Sequence, residues 1–365
     1  MRPTWAEVSL KRLRENFRRI RARVGAGVEV MAVVKADAYG HGAPAAARAL
    51  AEEGAAWFGV CSVEEAIELR SAGITPPIFL LSGFWKGEEE TLAEHGLVPA
   101  VHDPGQLDLL ETKNLSFHLK VDTGMGRLGV AEKDLEQALA RITRLGPARM
   151  EGLCTHLASA DQPGDAAARQ QTDEQLARFR AVQAAVERTG LRPRWVHLAN
   201  SAALATRRDT WGNLVRPGIA LYGCLSCPND LGLEPVLSLK SRIVSLRDVP
   251  AGAPLGYNAR YVAPGPQCIA AVAAGYADGV NRALSNRGSG LVRGRRAPIV
   301  GAVSMDLTLL DVTAVPGAEV GDEVTYIGRD GGQEITAAEV AALAGTVPYE
   351  ILCHISKRVP RVYTE

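Results

Sequence analysis

Short β-branched and apolar runs alternate with amphipathic or alanine-rich stretches along the first two-thirds of the chain. Val28–Val34, Trp57–Val60, Pro77–Leu81, Leu97–Val101, Ser116–Asp122, Ala148–His156, Trp195–Asn200 and Leu214–Gly223 read as strands, mostly buried and parallel. Between them, Ala43–Glu53, Val63–Ser71, Glu132–Leu145 and Ala166–Thr189 read as helices. Leu10, Leu13, Phe17 and Ile20 mark an opening helix at the 3.6-residue period. Strands alternating with helices in this way predict an α/β fold, a (β/α)8 TIM barrel.

The rhythm changes near residue 235. Leu237–Leu246, Gln267–Ala274, Gly290–Val292, Ala297–Val303, Leu307–Val312 and Glu323–Gly328 alternate with turns such as Pro250-Ala251-Gly252 and Asp330-Gly331-Gly332. One late helix is predicted at Ala337–Ala344. The expected organisation is a barrel domain over 1–235, whose first residues can pack with the second domain, and a mainly-β domain over 236–365.

Charge narrows the partners. Lys+Arg and Asp+Glu both number 41 in 365 residues, so no global field recruits nucleic acid or an anionic membrane. No long apolar stretch or signal-peptide core is present, which predicts a cytoplasmic protein with a small-molecule partner. The six cysteines (Cys61, Cys154, Cys224, Cys227, Cys268 and Cys353) are scattered. Cys224 and Cys227 have CxxC spacing but no second pair, so free thiols are expected and no metal site.

The chemistry concentrates at strand ends. Val28–Val34 runs into Lys35, followed by Tyr39, Gly40, His41 and Gly42. A lysine at the carboxyl end of a buried strand is either a Schiff-base former or simply the strand's exit to water. In Phe117–Asp122, alternation sends His118, Lys120 and Asp122 to one face, either barrel interior or a solvated mouth, and glycines then lead to Arg127. Trp195–Ser201 ends on His197, Asn200 and Ser201 before a helix, which is either an N-cap or part of a phosphate site. Together with Lys35 and Tyr39, this suggests pyridoxal phosphate.

Val33-Val34-Lys35-Ala36-Asp37-Ala38-Tyr39-Gly40-His41-Gly42 resembles the cofactor-lysine motif of alanine racemases. Lys120–Gly129, Thr155-His156, His197–Ser201, Arg216–Gly223, Gly275–Gly279, Ser304-Met305-Asp306 and Arg358–Arg361 match that family in order, across essentially the whole chain. The resemblance implies a PLP-dependent isomerase, a homodimer that interconverts L- and D-alanine and supplies D-alanine for peptidoglycan. It implies that Lys35 binds the cofactor and that Tyr39, Ser201, Gly218 and Ile219 hold its phosphate. His197 would lie against the pyridine ring and Arg216 would face its nitrogen. Lys35 and Tyr257 would be the two bases, Tyr257 reaching the partner's site beside His156. Arg127 and the Met305 N–H would hold the substrate carboxylate, Lys120 would be carbamylated or else pair with Asp122, and Asp161, Tyr276 and Arg282 would line the entrance.

Two positions depart from the family pattern. Lys357 stands where many members have a tyrosine beside the phosphate, which it could contact as a flexible charge. Ala302 stands where an arginine is usual. A serine or broad-specificity racemase is therefore an alternative. A decarboxylase is disfavoured by Arg216, and a non-catalytic PLP-homeostasis protein by the second domain.

Overall fold

The chain opens with a strand, β1 (Trp5–Ser9), and a helix, α1 (Leu10–Val24), before it enters the barrel. The computed structural model describes residues 2–111, 113–146 and 149–365, so the expected strand start at Ala148 lies outside the described residues. The barrel strands are β2 (Glu29–Val33), β3 (Trp57–Val60), β4 (Ile78–Leu80), β5 (Leu97–Val101), β6 (Phe117–Lys120), β7 (Met150–Cys154), β8 (Trp195–His197) and β9 (Leu214–Val215). They pair in parallel in the order β8-β7-β6-β5-β4-β3-β2-β9. Asn213 N to Val196 O and Arg216 N to Ala199 O, both 3.0 Å, draw β9 to β8 and nearly close the ring.

Side chains alternate along each strand, so one set fills the barrel and the other meets the helices. Met31, Trp57, Phe79, Ala100, Cys154, Trp195 and Leu214 form an apolar plug inside. Above it, toward the carboxyl ends of the strands, lie the buried polar side chains His118, Lys120, His197 and Arg216.

The second sheet has nine strands. Its spine is β10 (Leu237–Val249), which pairs with β1, Gln267–Val272 and Glu323–Asp330. A register irregularity between Ile243 and Ser245 lets this long strand change partners. β1 also pairs in parallel with the last strand, Arg361–Thr364, so both ends of the chain are stitched into this sheet.

Three local differences from the sequence reading stand out, the first with a physical cause. The run Leu214–Gly223 is a strand only at Leu214–Val215. Pro217 cannot donate to a ladder, and Gly218–Gly223 coils into a turn closed by Leu221 N to Gly218 O. Glu132–Leu145 begins as a 3₁₀ turn, Glu132–Asp134, before the α-helix Leu135–Leu145. A further short helix, Pro348–Cys353, follows the predicted Ala337–Ala344. Among the described residues no helix is long and apolar enough to cross a membrane.

Asn16 ties α1 to the passage between the two sheets. It is fully buried, donates to Leu221 O (2.9 Å) and Glu234 O (2.8 Å), and accepts from Glu234 N (2.9 Å). Asn16→Leu keeps the volume but strands these backbone groups, and should lower stability by about 3 kcal/mol or more. A urea midpoint within error of the parent would reject that role.

Candidate active site

β2 delivers Lys35 to the barrel mouth, and the chain then makes an uncommon turn. Ala36, Asp37, Ala38 and Tyr39 all lie in the left-handed region, with φ between 52° and 55°. Each non-glycine residue there costs about 1–2 kcal/mol, so the turn needs external support. Glu65 accepts from Ala36 N (2.7 Å) and Cys61 N (2.8 Å), and Asp37 accepts from Ala43 N (2.8 Å). Arg361, from the last strand, donates to Gly40 O (2.9 Å) while its other nitrogens hold Ser356, Val359 and Ile355 carbonyls at 2.7 Å. His41 Nδ1 faces the Ala38 and Tyr39 carbonyls at 2.9 and 3.0 Å, so that nitrogen carries the proton. Gly40 is required for space as well as for its positive φ, because a Cβ there would overlap the Leu352 carbonyl.

Arg216 lies buried just beyond β9. Its Nη1 donates to His197 Nδ1 (2.7 Å) and His197 O (2.8 Å). Its Nη2 donates to Thr155 O (2.8 Å) and Leu198 O (3.0 Å) and faces His156 Nδ1 at 3.3 Å. His197 Nε2 in turn meets His118 Nδ1 at 2.8 Å. Burial first, and Arg216 second, hold His118, His156 and His197 well below the ordinary imidazole range, His118 to about 3. All three are therefore neutral near neutrality.

Polar groups gather where the Tyr39 hydroxyl meets the turn after β9. The Tyr39 hydroxyl rests against Gly218, where any Cβ would overlap it. Ser201 Oγ accepts from Gly218 N (2.8 Å) and Ala220 N (3.2 Å), and Ile219 opens the same turn. Burial raises the Tyr39 phenol, so it stays a protonated donor.

Lys120 is only 8% exposed and donates to Leu81 O at 3.1 Å. It does not pair with Asp122, which instead accepts from Gly124 N, Met125 N and Gly126 N at 2.9 Å each and shapes the loop to Arg127. Arg127 is exposed on the wall of an open cleft of about 510 Å³ shared with Ser82, Trp85 and His102. Burial, with Arg216 and Arg127, lowers the Lys120 amine. Among the described residues no carboxylate lies within 4.0 Å of Lys35, Lys120, Arg127 or Arg216, whereas other arginines form many such pairs. The mouth is thus a concentration of unneutralised positive charge.

The remaining candidates sit on or near the second sheet. Met305 is exposed, on a loop fixed by Arg358, which donates to Asp278 Oδ1 and Asp306 Oδ1 at 2.8 Å, and by Arg2, which donates to Asp278 Oδ2 at 2.8 Å. Tyr276 and Arg282 line one small cavity with Ile351 and His354, while Asp161 is exposed on the loop after β7, outside that cavity. Lys357 is exposed between Ser356 and Arg358. Tyr257 is 70% exposed on a turn after Gly256 and makes no hydrogen bond to the barrel among the described residues. Among the described residues no hydrogen bond joins Lys35 to Tyr257.

Comparison with known proteins agrees with this layout. Residues 8–226 match the family profile "Alanine racemase, N-terminal domain", and residues 236–363 match "Alanine racemase, C-terminal domain". The chain belongs to the alanine racemase family. An alanine racemase from Sorangium cellulosum is 46% identical, over all of both chains. One from Geobacter sulfurreducens is 43% identical, over 99% of this chain and 97% of its own. The crystal structure of alanine racemase from Streptomyces lavendulae superposes with a TM-score of 0.92 at 37% identity, over 100% of this chain and 98% of that one.

Within this alanine racemase family member, several supporting residues carry no sequence signal. Glu65 lies in an ordinary amphipathic helix, and its grip on Ala36 is visible only in three dimensions. Arg361 and Asp278 fall within matched motifs, but their partners are distant in sequence. His118 could be placed on a polar face, but its bond to His197 could not be foreseen.

The buried imidazoles predict a pH dependence. An unfolded histidine titrates near 6.5, whereas burial holds His41 at about 4 and His118 at about 3. Below about pH 6.5 the unfolded chain takes up protons that the folded protein refuses. Stability is therefore full above that value and falls as the pH drops, by up to about 1.4 kcal/mol per pH unit per histidine. Urea midpoints at about pH 7.5 and about pH 5.5 test this. The lower pH should give the lower midpoint, with a shallower dependence in His41→Gln, and equal midpoints would contradict neutral burial.

Proposed function

We propose that this protein interconverts L- and D-alanine with pyridoxal phosphate bound through Lys35, and that two protomers share each active site. The observation that carries this reading is full-length alanine racemase kinship joined to a lysine presented on a strained turn beside unneutralised cations.

The residues fit the cofactor. Tyr39, Ser201 and the turn opening at Gly218 and Ile219 form a close donor set suited to phosphate, and the Gly218 contact with Tyr39 leaves room only for hydrogen there. When bound, pyridoxal phosphate supplies an electron-accepting ring that eases loss of the proton from the substrate α-carbon.

The chain's own residues do the rest. Arg127 and the Met305 N–H hold the substrate carboxylate, so Cα is fixed between two bases. The Lys35 amine exchanges the proton on the D face, and Tyr257 of the partner subunit exchanges it on the L face. Arg216 has donors only, so placed toward the ring nitrogen it would disfavour a proton there. Arg216 would thereby make the bound ring a weaker electron sink and limit side reactions. His197 would lie against the ring and His156 would stand beside Tyr257 of the partner subunit. Reaction of the Lys120 amine, which burial lowers, with carbon dioxide would release a proton and leave a carbamate anion that orients Arg127. Asp161, Tyr276 and Arg282 line the entrance.

The proposed setting is the cytoplasm, where D-alanine is supplied for peptidoglycan. A second reading, activity toward serine or other small amino acids, is favoured by Lys357, an exposed flexible charge. Relative kcat/KM for L-alanine and L-serine decides between them, and a strong alanine preference removes the second.

Lys35→Ala and Tyr257→Phe should each lower the racemisation rate by about 10²–10⁴-fold. Mixed dimers of the two inactive variants retain one intact site, so co-expression should restore about a quarter of parental activity under random pairing. Absence of recovery would overturn the shared site. Gly218→Ala drives a methyl into the Tyr39 hydroxyl, and should weaken cofactor retention by about tenfold or more in a dialysis assay followed by absorbance.

A further inference from the structure

We infer that His118, which the reaction above does not use, is a positioning residue that fixes the tautomer of His197 and thereby the aim of Arg216. The inference rests on the reading of Arg216 as the group facing the cofactor's ring nitrogen.

The proton positions follow from one end of the chain of contacts. A guanidinium has no acceptor, so at 2.7 Å Arg216 Nη1 must donate to His197 Nδ1, which then carries no proton. His197 is fully buried beside that cation and is neutral, so its single proton is on Nε2. Nε2 faces His118 Nδ1 at 2.8 Å, so this contact runs from His197 to His118. The reverse order would point a His197 Nδ1–H at a guanidinium N–H. His118 therefore keeps its proton on Nε2, and that nitrogen is buried with no hydrogen-bond partner. It ends the chain in an aromatic box, with the Phe79 ring centroid 4.7 Å and the Trp57 centroid 5.1 Å away.

The seat for this ring is built. His118 lies on β6 opposite Gly152 on β7. A Cβ at Gly152 would overlap the imidazole, and this glycine has no positive φ to explain its presence. It is there for space. A fully buried imidazole, a cleared backbone seat and a one-way run of donors indicate an element whose product is orientation. Among the described residues His118 offers His197 its only side-chain acceptor on that side. Without it the His197 Nε2–H is stranded in an apolar box, the imidazole turns to find another partner, and Arg216 loses its shortest side-chain contact.

Nitrogen-15 NMR of the full-length protein with labelled histidine reads the tautomers directly, both as purified with cofactor and after its removal. The expected result in both samples is a His197 protonated on Nε2 only, coupled across a hydrogen bond to His118 Nδ1. The protein alone makes this chain, so the stripped sample tests it even if the cofactor reading fails. A proton on His197 Nδ1, or on both nitrogens, overturns the inference.

Variants test the consequence. His118→Phe keeps an aromatic ring without an acceptor, and should lower kcat about tenfold while KM for alanine stays within about twofold. It should also shift the holoenzyme absorbance toward the form protonated on the ring nitrogen. His118→Asn places an amide oxygen near the former Nδ1 and should restore kcat to within about threefold of the parent. Gly152→Ala, which displaces the imidazole without removing it, should reproduce the His118→Phe loss, and it stands in for that variant should the latter not fold. Parental kcat and absorbance in Gly152→Ala and in a folded His118→Phe would reject the role.

Discussion

Arg216 is a buried guanidinium with no carboxylate beside it, and the architecture of the site follows from how that charge is accommodated. Burying an unpaired ion costs several kcal/mol even after relaxation. Here five neutral acceptors offset the cost: three backbone carbonyls, from Thr155, His197 and Leu198, and two imidazole nitrogens. Those carbonyls are within reach because β7 and β8 end there and their chains leave the ladder. The arginine thus ties three strand ends together at the closing seam of the barrel. Its charge is solvated but not neutralised, and with Lys35, Lys120 and Arg127 it makes a mouth that favours an anion.

The barrel interior is layered to keep that charge effective. Met31, Trp57, Phe79, Trp195 and their neighbours exclude water below. The histidines between plug and mouth stay neutral because burial opposes their protonation. They transmit orientation and add no charge. A protonated imidazole in that layer would raise the local potential and compete with Arg216 for the same carbonyls. Neutral imidazoles serve as acceptors, which is what a donor-only guanidinium lacks.

Much of this was legible in the sequence, for identifiable reasons. Lys35 stood out because a charged residue ended an apolar run. The helices Val63–Ser71 and Ala337–Ala344 were read to the residue because Ser62 and Thr336 cap them locally. The last barrel strand was overextended because Ile219, Ala220 and Leu221 are apolar and buried, and burial alone does not distinguish a strand from a turn. The left-handed turn was illegible for a different reason. Its residues include alanines, which prefer ordinary helix, and the conformation is imposed by Glu65, Asp37 and Arg361, two of them distant in sequence. The Lys120–Asp122 pairing failed because three loop amides compete for that carboxylate at short range.

The second sheet explains why the barrel alone does not complete the arrangement. Arg361 holds the Lys35 turn from the last strand, while Arg2 and Arg358 grip Asp278 and fix the Met305 loop. Both termini are therefore structural supports of the site, joined through β1 and its two neighbours. Turns and loops of this second domain leave Tyr257, Tyr276, Met305 and Leu307 exposed. The positive barrel mouth and the solvent-facing Tyr257 turn are thus two separate surfaces of one chain. In the proposed homodimer a two-fold axis makes a contact between them reciprocal, so that one pairing serves both protomers.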